Sequence, residues 1–288
     1  MAFVPKHETI RQLRLPTNRW QSFFDCVVNK TSTTLLLGLF VFIFSIPLLL
    51  VLGISNILVY DITMQISEGL ITEAGAATRI FDTLNAANLL LIPSLVVLFI
   101  GLSGLTRVTR RMIFQEHIAF IHDFKQGVSS NWASFSLLAI ALGILHFVMM
   151  LLARLGYFWE AASWLDVTLA IGIGALVLTF LITPFVLFQT DLYNLSFGGK
   201  LKNSFLLGMR TAPVTLPFML AIFSPWLLLL IRYDGVGYFI VIGLLFMMAA
   251  PLQFLAIHEY TLSVLDKFVN KTNHPEIYDK GIYRHAHD

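Results

Sequence analysis

LTRVTRRMIFQEHIAFIHDFKQGV, residues Leu105–Val128, lies between two long apolar runs and decides how the rest of the chain is read. It is basic at its start. An ideal helix from Ile113 gathers Ile113, Phe114, Ile118, Phe120, Ile121, Phe124 and Val128 on one arc. Gln115, Glu116, His122, Asp123 and Gln126 fall on the opposite arc, the pattern of an amphipathic helix. Arg107, Arg110 and Arg111 stand where an apolar run ends, so the segment is expected to be the main cytoplasmic connection of a membrane protein.

Composition agrees. Of 288 residues, 57% are apolar and only 12% charged, against roughly 25% charged in soluble domains, and the mean hydropathy is +0.78. Cys26 is the single cysteine, which excludes an intramolecular disulfide and a thiolate metal cluster. The first thirty residues carry Lys6, Glu8, Arg11, Arg14, Arg19 and Asp25 without a short apolar core, so no cleaved signal peptide is expected.

Working outward, residues 1–30 read as a cytoplasmic, interfacial segment in which Trp20, Phe23, Phe24, Val27 and Val28 suit a short helix. Six transmembrane helices are expected at about 31–60, 88–105, 132–153, 166–190, 211–231 and 236–257, since about twenty apolar residues cross a ~30 Å core. Between the first two, Asp61–Ala87 is expected to form two short amphipathic helices lying over the bundle, broken near Gly75. Asp191–Arg210 is the second large polar connection; Gly198 and Gly199 are expected to break it, and Leu201, Phe205 and Met209 form a stripe after them. Pro213, Pro217 and Pro225 are expected to kink the fifth span. Residues 258–288 read as a solvated cytoplasmic tail, in which His274, His285 and His287 lack the fixed partners a metal site needs.

Sidedness follows from charge. Sixteen Lys and Arg fall in the N-terminal segment, the two polar connections and the tail, against Arg79, Arg154 and Arg232 on the other side. The expected fold is therefore all-α and polytopic, a multi-pass cell-membrane protein with both termini in the cytoplasm and amphipathic cytoplasmic connecting helices.

Ser45-Ile46-Pro47, the exit Gly104-Leu105 with Arg107, Arg110 and Arg111, the aromatic segment with Asp123-Phe124, Asn131, and Lys200-Leu201-Lys202-Asn203-Ser204-Phe205 together form a pattern. Across roughly residues 20–230 it resembles the YesL-like family of small bacterial membrane proteins of unknown function, while 61–87 and the tail are longer than the family pattern. Members of that family are often encoded beside carbohydrate ABC importers, so the resemblance implies an association with sugar uptake. Phe124–Leu142 and Phe205–Phe223 also align without gaps, pairing Phe124 with Phe205 and Gly127 with Gly208. A duplicated unit and chance likeness of apolar stretches both account for this.

No acidic or basic residue falls deep inside an expected span, which argues against a proton-driven pump. His146 is the single titratable group there; it is either a ligand or proton-sensing group, or a neutral imidazole bonded to a neighbouring helix. The chain has no Gly-rich phosphate loop, zinc spacing or nucleophile elbow, so no enzyme activity and no cofactor are expected. Two functions remain. In the first, a non-enzymatic accessory or regulatory protein docks a transport partner such as a carbohydrate ABC transporter through Gln115, Glu116, His122, Asp123, Lys200 and Lys202. In the second, the chain itself is a facilitator or permease subunit, with His146 and Pro217 at its pore. Against a permease subunit, Phe197–Arg210 lacks the Glu-Ala-Ala…Gly signature that receives an ATPase. The expected partners are the lipid bilayer, another membrane protein and a second copy of the chain, and not nucleic acid.

Overall fold

The computed structural model describes residues 16–158, 162–230 and 235–283. Among them the chain is all-α, with six helices long and apolar enough to cross a membrane, as the apolar runs require. A short helix α1 (Arg19–Asn29) precedes α2 (Thr31–Ser67), α3 (Glu73–Ile113), α4 (Phe120–Phe158), α5 (Ala162–Leu192) and α6 (Phe197–Phe223). The last tightens into a 3-10 turn over Ser224–Leu230, where Pro225 falls. The sixth crossing is α7 (Gly235–Leu244), continued through a π-helical stretch, Leu245–Ala249, into α8 (Ala250–Leu265). A second π-helical stretch, Asp266–Asn270, leads to the single turn α9 (Lys271–Asn273).

The helices outrun the apolar spans, because hydropathy marks only the length in lipid while the hydrogen-bond ladder continues until something breaks it. Asp61–Ala87 is the clearest correction. Instead of two short helices lying over the bundle, it is the last turns of α2 and the first of α3. The break falls at Gly69 (φ +70°), and Thr72 caps α3 by accepting from the Gly75 amide at 3.2 Å. Gly75 thus lies in a first turn and breaks nothing. Gly198 and Gly199 likewise fall inside the start of α6, where Ser196 accepts from the Gly199 amide at 3.2 Å.

Consecutive helices pack as antiparallel neighbours, most extensively α3 with α4. There the backbones touch. A Cβ on Gly127 would stand 2.9 Å from the Ser103 carbonyl oxygen and 2.9 Å from the Gly104 Cα. Gly208 plays the same part at the α5–α6 crossing, 2.5 Å from the Leu181 carbonyl oxygen. The pairing of these glycines in the aligned stretches therefore has a structural counterpart. The pairing of phenylalanines does not, since Phe124 is buried and Phe205 exposed.

The core sits at one end. Leu105, Val108, Met112 and Ile113 of α3 meet Phe124, Phe185, Phe188, Leu255, Leu262 and Leu265 there. Farther along the bundle, large apolar side chains such as Ile57, Leu169, Ile173 and Leu220 face outward. Lipid tails are as apolar as leucine, so helices in a bilayer gain little by hiding such residues. The end holding the core also carries α1, the connections 114–119 and 193–196, and the C-terminal segment, and is called the charged end below.

Candidate functional site

The charged end departs most from the sequence reading. The amphipathic helix expected from Ile113 onward is instead a helix end, a turn and the start of another helix. Helix α3 stops at Ile113, Gln115 takes a left-handed conformation (φ +57°), and α4 begins at Phe120. Electrostatics favour the break: Arg110 and Arg111 occupy the last turn of α3, and Asp123 the first turn of α4. Each sits at the helix end whose dipole it complements. Asp123 also accepts from the Ala119 amide at 2.9 Å.

This turn redistributes the six docking residues named from the sequence. Asp123 is wholly buried and bonded by Arg111 at 2.6 Å, so it is not on an exposed arc. Glu116 pairs with Arg111 at 3.4 Å and with Lys280 at 2.7 Å. Gln115 donates to Asp25 of α1 at 2.9 Å. Lys200 is buried as well. Only His122 and Lys202 stand exposed, on the first turn of α4 and the second turn of α6. Ile121, assigned to the buried arc, is instead 53% exposed, while Ile113, Phe114 and Phe124 are buried as expected. Phe124 packs its ring 4.9 Å from Phe40 and 5.7 Å from Phe44.

The two residues named for a pore are not brought together. His146 is partly exposed on α4, and Pro217 is exposed on α6, facing away from the bundle. The two prolines of that helix do not line an interior passage: Pro213 is exposed too, on the same side.

Three groups that sequence reasoning missed hold the charged end together. Arg110 pairs with Asp191 at 3.0 Å and donates to its carbonyl at 3.1 Å, while Asn131 donates to the same carboxylate at 3.0 Å, joining α3, α4 and α5. In the second group, Arg19 of α1 pairs with Asp266 at 2.5 Å and lies 3.7 Å from Glu259. Asn270 donates to Asp266 at 2.7 Å and is bonded by the Tyr193 hydroxyl. The third is the C-terminal segment. Lys280 reaches Glu116, its carbonyl takes a bond from Arg19 at 3.1 Å, and the Tyr283 amide donates to the Pro16 carbonyl at 2.8 Å. Gly281 (φ +84°) lies so close to Ile113 that a Cβ would fall 2.1 Å from its carbonyl oxygen. The segment expected to be a solvated tail is therefore helical through Asn273 and then folded back, with His274 stacked 4.7 Å from Tyr193. His285 and His287 lie outside the described residues.

Helix α1 is amphipathic, with its faces divided. Trp20, Phe24 and Val28 point outward, while Ser22 and Cys26 are buried against the bundle. Burial pushes the Cys26 thiol up to about 12 and draws Lys30 below its ordinary value. Lys30 donates to the Met112 carbonyl at 2.7 Å. Tyr193, also desolvated, is raised. Beside Ser22 lies Glu259, 3% exposed, whose carboxylate oxygens make no hydrogen bond among the described residues. Its neighbour His258 bonds the Phe254 carbonyl through Nδ1 at 2.6 Å and leaves Nε2 without a partner there.

A signal for this cluster existed. Glu259, Asp266 and Asn270 recur at seven and four residues, as do Arg19, Ser22 and Cys26 at three and four. Those are one-face helical spacings, passed over because the stretch from His258 read as tail. No family model, curated protein or solved structure matches the chain.

Proposed function

We propose that this is a non-enzymatic accessory or regulatory protein of the bacterial cell membrane that docks a transport partner through its charged end, which faces the cytoplasm with both termini. The observation that carries this reading is the surface at the start of α6. Leu201, Phe205 and Met209 form an exposed apolar stripe, with Lys202 beside it, on a helix whose base is fixed by buried contacts. Exposed apolar patches edged by charge mark partner surfaces. Arg19, Arg110, Arg111, Glu116, Asp123, Asp191, Asp266 and Lys280 are spent on internal pairs, which make a rigid platform. Of the polar residues beside the stripe and the turn, His122 and Lys202 stand exposed for recognition. The resemblance to the YesL-like family supports a carbohydrate importer as the class of partner.

Crosslinking pull-down from native membranes tests the reading. Lys202→Glu with Phe205→Ser is expected to lose a transporter component recovered by the unaltered protein, while Glu73→Lys at the opposite end keeps it. Recovery unchanged by the α6 substitutions refutes the docking surface.

One observation favours a second reading, transport by the chain itself: a buried carboxylate and imidazole, Glu259 and His258, with side-chain atoms that make no hydrogen bond among the described residues. Buried ionisable groups in membrane bundles mark ion and substrate paths. Solute flux through purified protein in liposomes, abolished by Glu259→Gln, would establish that reading and displace docking.

A further inference from the structure

A second feature of α6 is independent of the docking stripe. Between α6 and α8 a cleft opens on the outer surface of the bundle, enclosing about 720 Å³ of open space. Its walls include Pro213, Val214 and Val264, and its mouth holds Arg210 and Lys267. Both cations stand over one ring: Arg210 Cζ lies 4.2 Å and Lys267 Nζ 5.3 Å from the Phe268 centroid. Neither has an ion-pair partner among the described residues. A neighbouring cleft shares Tyr260 and Ser263 and adds Trp20, Phe23 and Phe218. Its carboxylate, Glu259, and its cation, Arg19, face each other at 3.7 Å.

The depth of the cations matters. From Thr211 the helical stretch runs to Leu230, twenty residues that rise about 30 Å, the thickness of a hydrocarbon core. With that stretch across the hydrocarbon, Arg210 stands at the membrane boundary, and Pro213 and Val214 stand just inside it. Two cations at headgroup level above an apolar, bilayer-facing wall match one ligand: an acidic phospholipid, phosphate at the mouth and acyl chain below. Two like charges gathered on one ring repel each other, and an intervening phosphate removes that cost.

We infer that the α6–α8 cleft is a binding site for an anionic phospholipid, held through its phosphate by Arg210 and Lys267 with an acyl chain against Pro213 and Val214. The test is native mass spectrometry of protein equilibrated in mixed micelles of phosphatidylglycerol and phosphatidylcholine. Preferential retention of phosphatidylglycerol is expected. At about 1 kcal/mol per cation, Arg210→Gln with Lys267→Gln is expected to weaken that retention roughly thirtyfold. Val214→Trp, which fills the cleft at a 63% exposed position without touching its charge, is expected to weaken it as well. Equal retention of both lipids refutes the site, as does retention unchanged in the folded variants. Full competition by inorganic phosphate also refutes it, because the site would then bind a free anion and not a lipid.

Discussion

The pair Arg111–Asp123 is an asymmetric interaction, and the asymmetry is measurable. Asp123 has a fully buried side chain, whereas that of Arg111 is 28% exposed and also reaches Glu116 at 3.4 Å and the His117 carbonyl at 3.3 Å. Arg111→Gln leaves a buried carboxylate with the Ala119 amide and without its cation. Breaking a buried pair this way costs about 3–5 kcal/mol; the remaining amide bond and the solvent at Arg111 favour the lower figure, about 3 kcal/mol. Asp123→Asn leaves a cation that keeps Glu116 and water, and a side chain that still accepts from Ala119, so about 1 kcal/mol is lost. At about 2–4 °C per kcal/mol for a chain of this size, thermal unfolding followed by tryptophan fluorescence in micelles should drop by about 6–12 °C in the first variant. The second should drop by about 2–4 °C. The double variant should lose less than the two together, because no buried charge is left unpaired. Equal losses from the two single substitutions would refute the assignment of Asp123 as the buried partner, and with it the turn that separates α3 from α4.

Gly127→Leu forces a side chain against the backbone of α3, 2.9 Å from Ser103 O at its first atom, and is expected to cost at least about 2 kcal/mol; Gly174→Leu, with open space around it, should be tolerated, and equal stability in the two variants would refute the close crossing. Cys26, its pKa pushed to about 12 by burial, should resist maleimide in native protein at pH 8 and react once unfolded. Because the unfolded thiol loses its proton first, near the ordinary value of 9.0, the thiol's contribution to stability is present below that pH and fades as pH rises toward 12; a pH-independent unfolding midpoint across that window in wild type, matching Cys26→Ala, would contradict it. In a Cys26-free background, cysteines at Glu73 and Glu160 should label from outside intact cells and one at Lys202 should not, and the reverse pattern would invert the orientation.

The apolar runs by themselves determined the all-α class and the six helices long and apolar enough to cross a membrane. The energy of placing side chains in hydrocarbon is a local property, summed residue by residue along a helix. Local too were the short helix that exposes Trp20 and Phe24 and the burial of Ile113 and Phe124, since amphipathic spacing states them directly. The tertiary structure alone decided where the chain turns between Arg110 and Asp123. A continuous helix and two helices joined at Gln115 bury nearly the same apolar arc, and the choice rests on Asp123 meeting Arg111 and Glu116 meeting Lys280, 164 residues away. It also decided that the stretch from His258 is structure and not tail, because Glu259, Asp266 and Asn270 are satisfied or buried only by α1 and Tyr193. Each partner of such an ion pair shows at most a one-face spacing within its own helix, and nothing in either stretch names the other. That is why four of the six polar residues expected to be free at the charged end are buried or tied to other segments, and only His122 and Lys202 stand exposed.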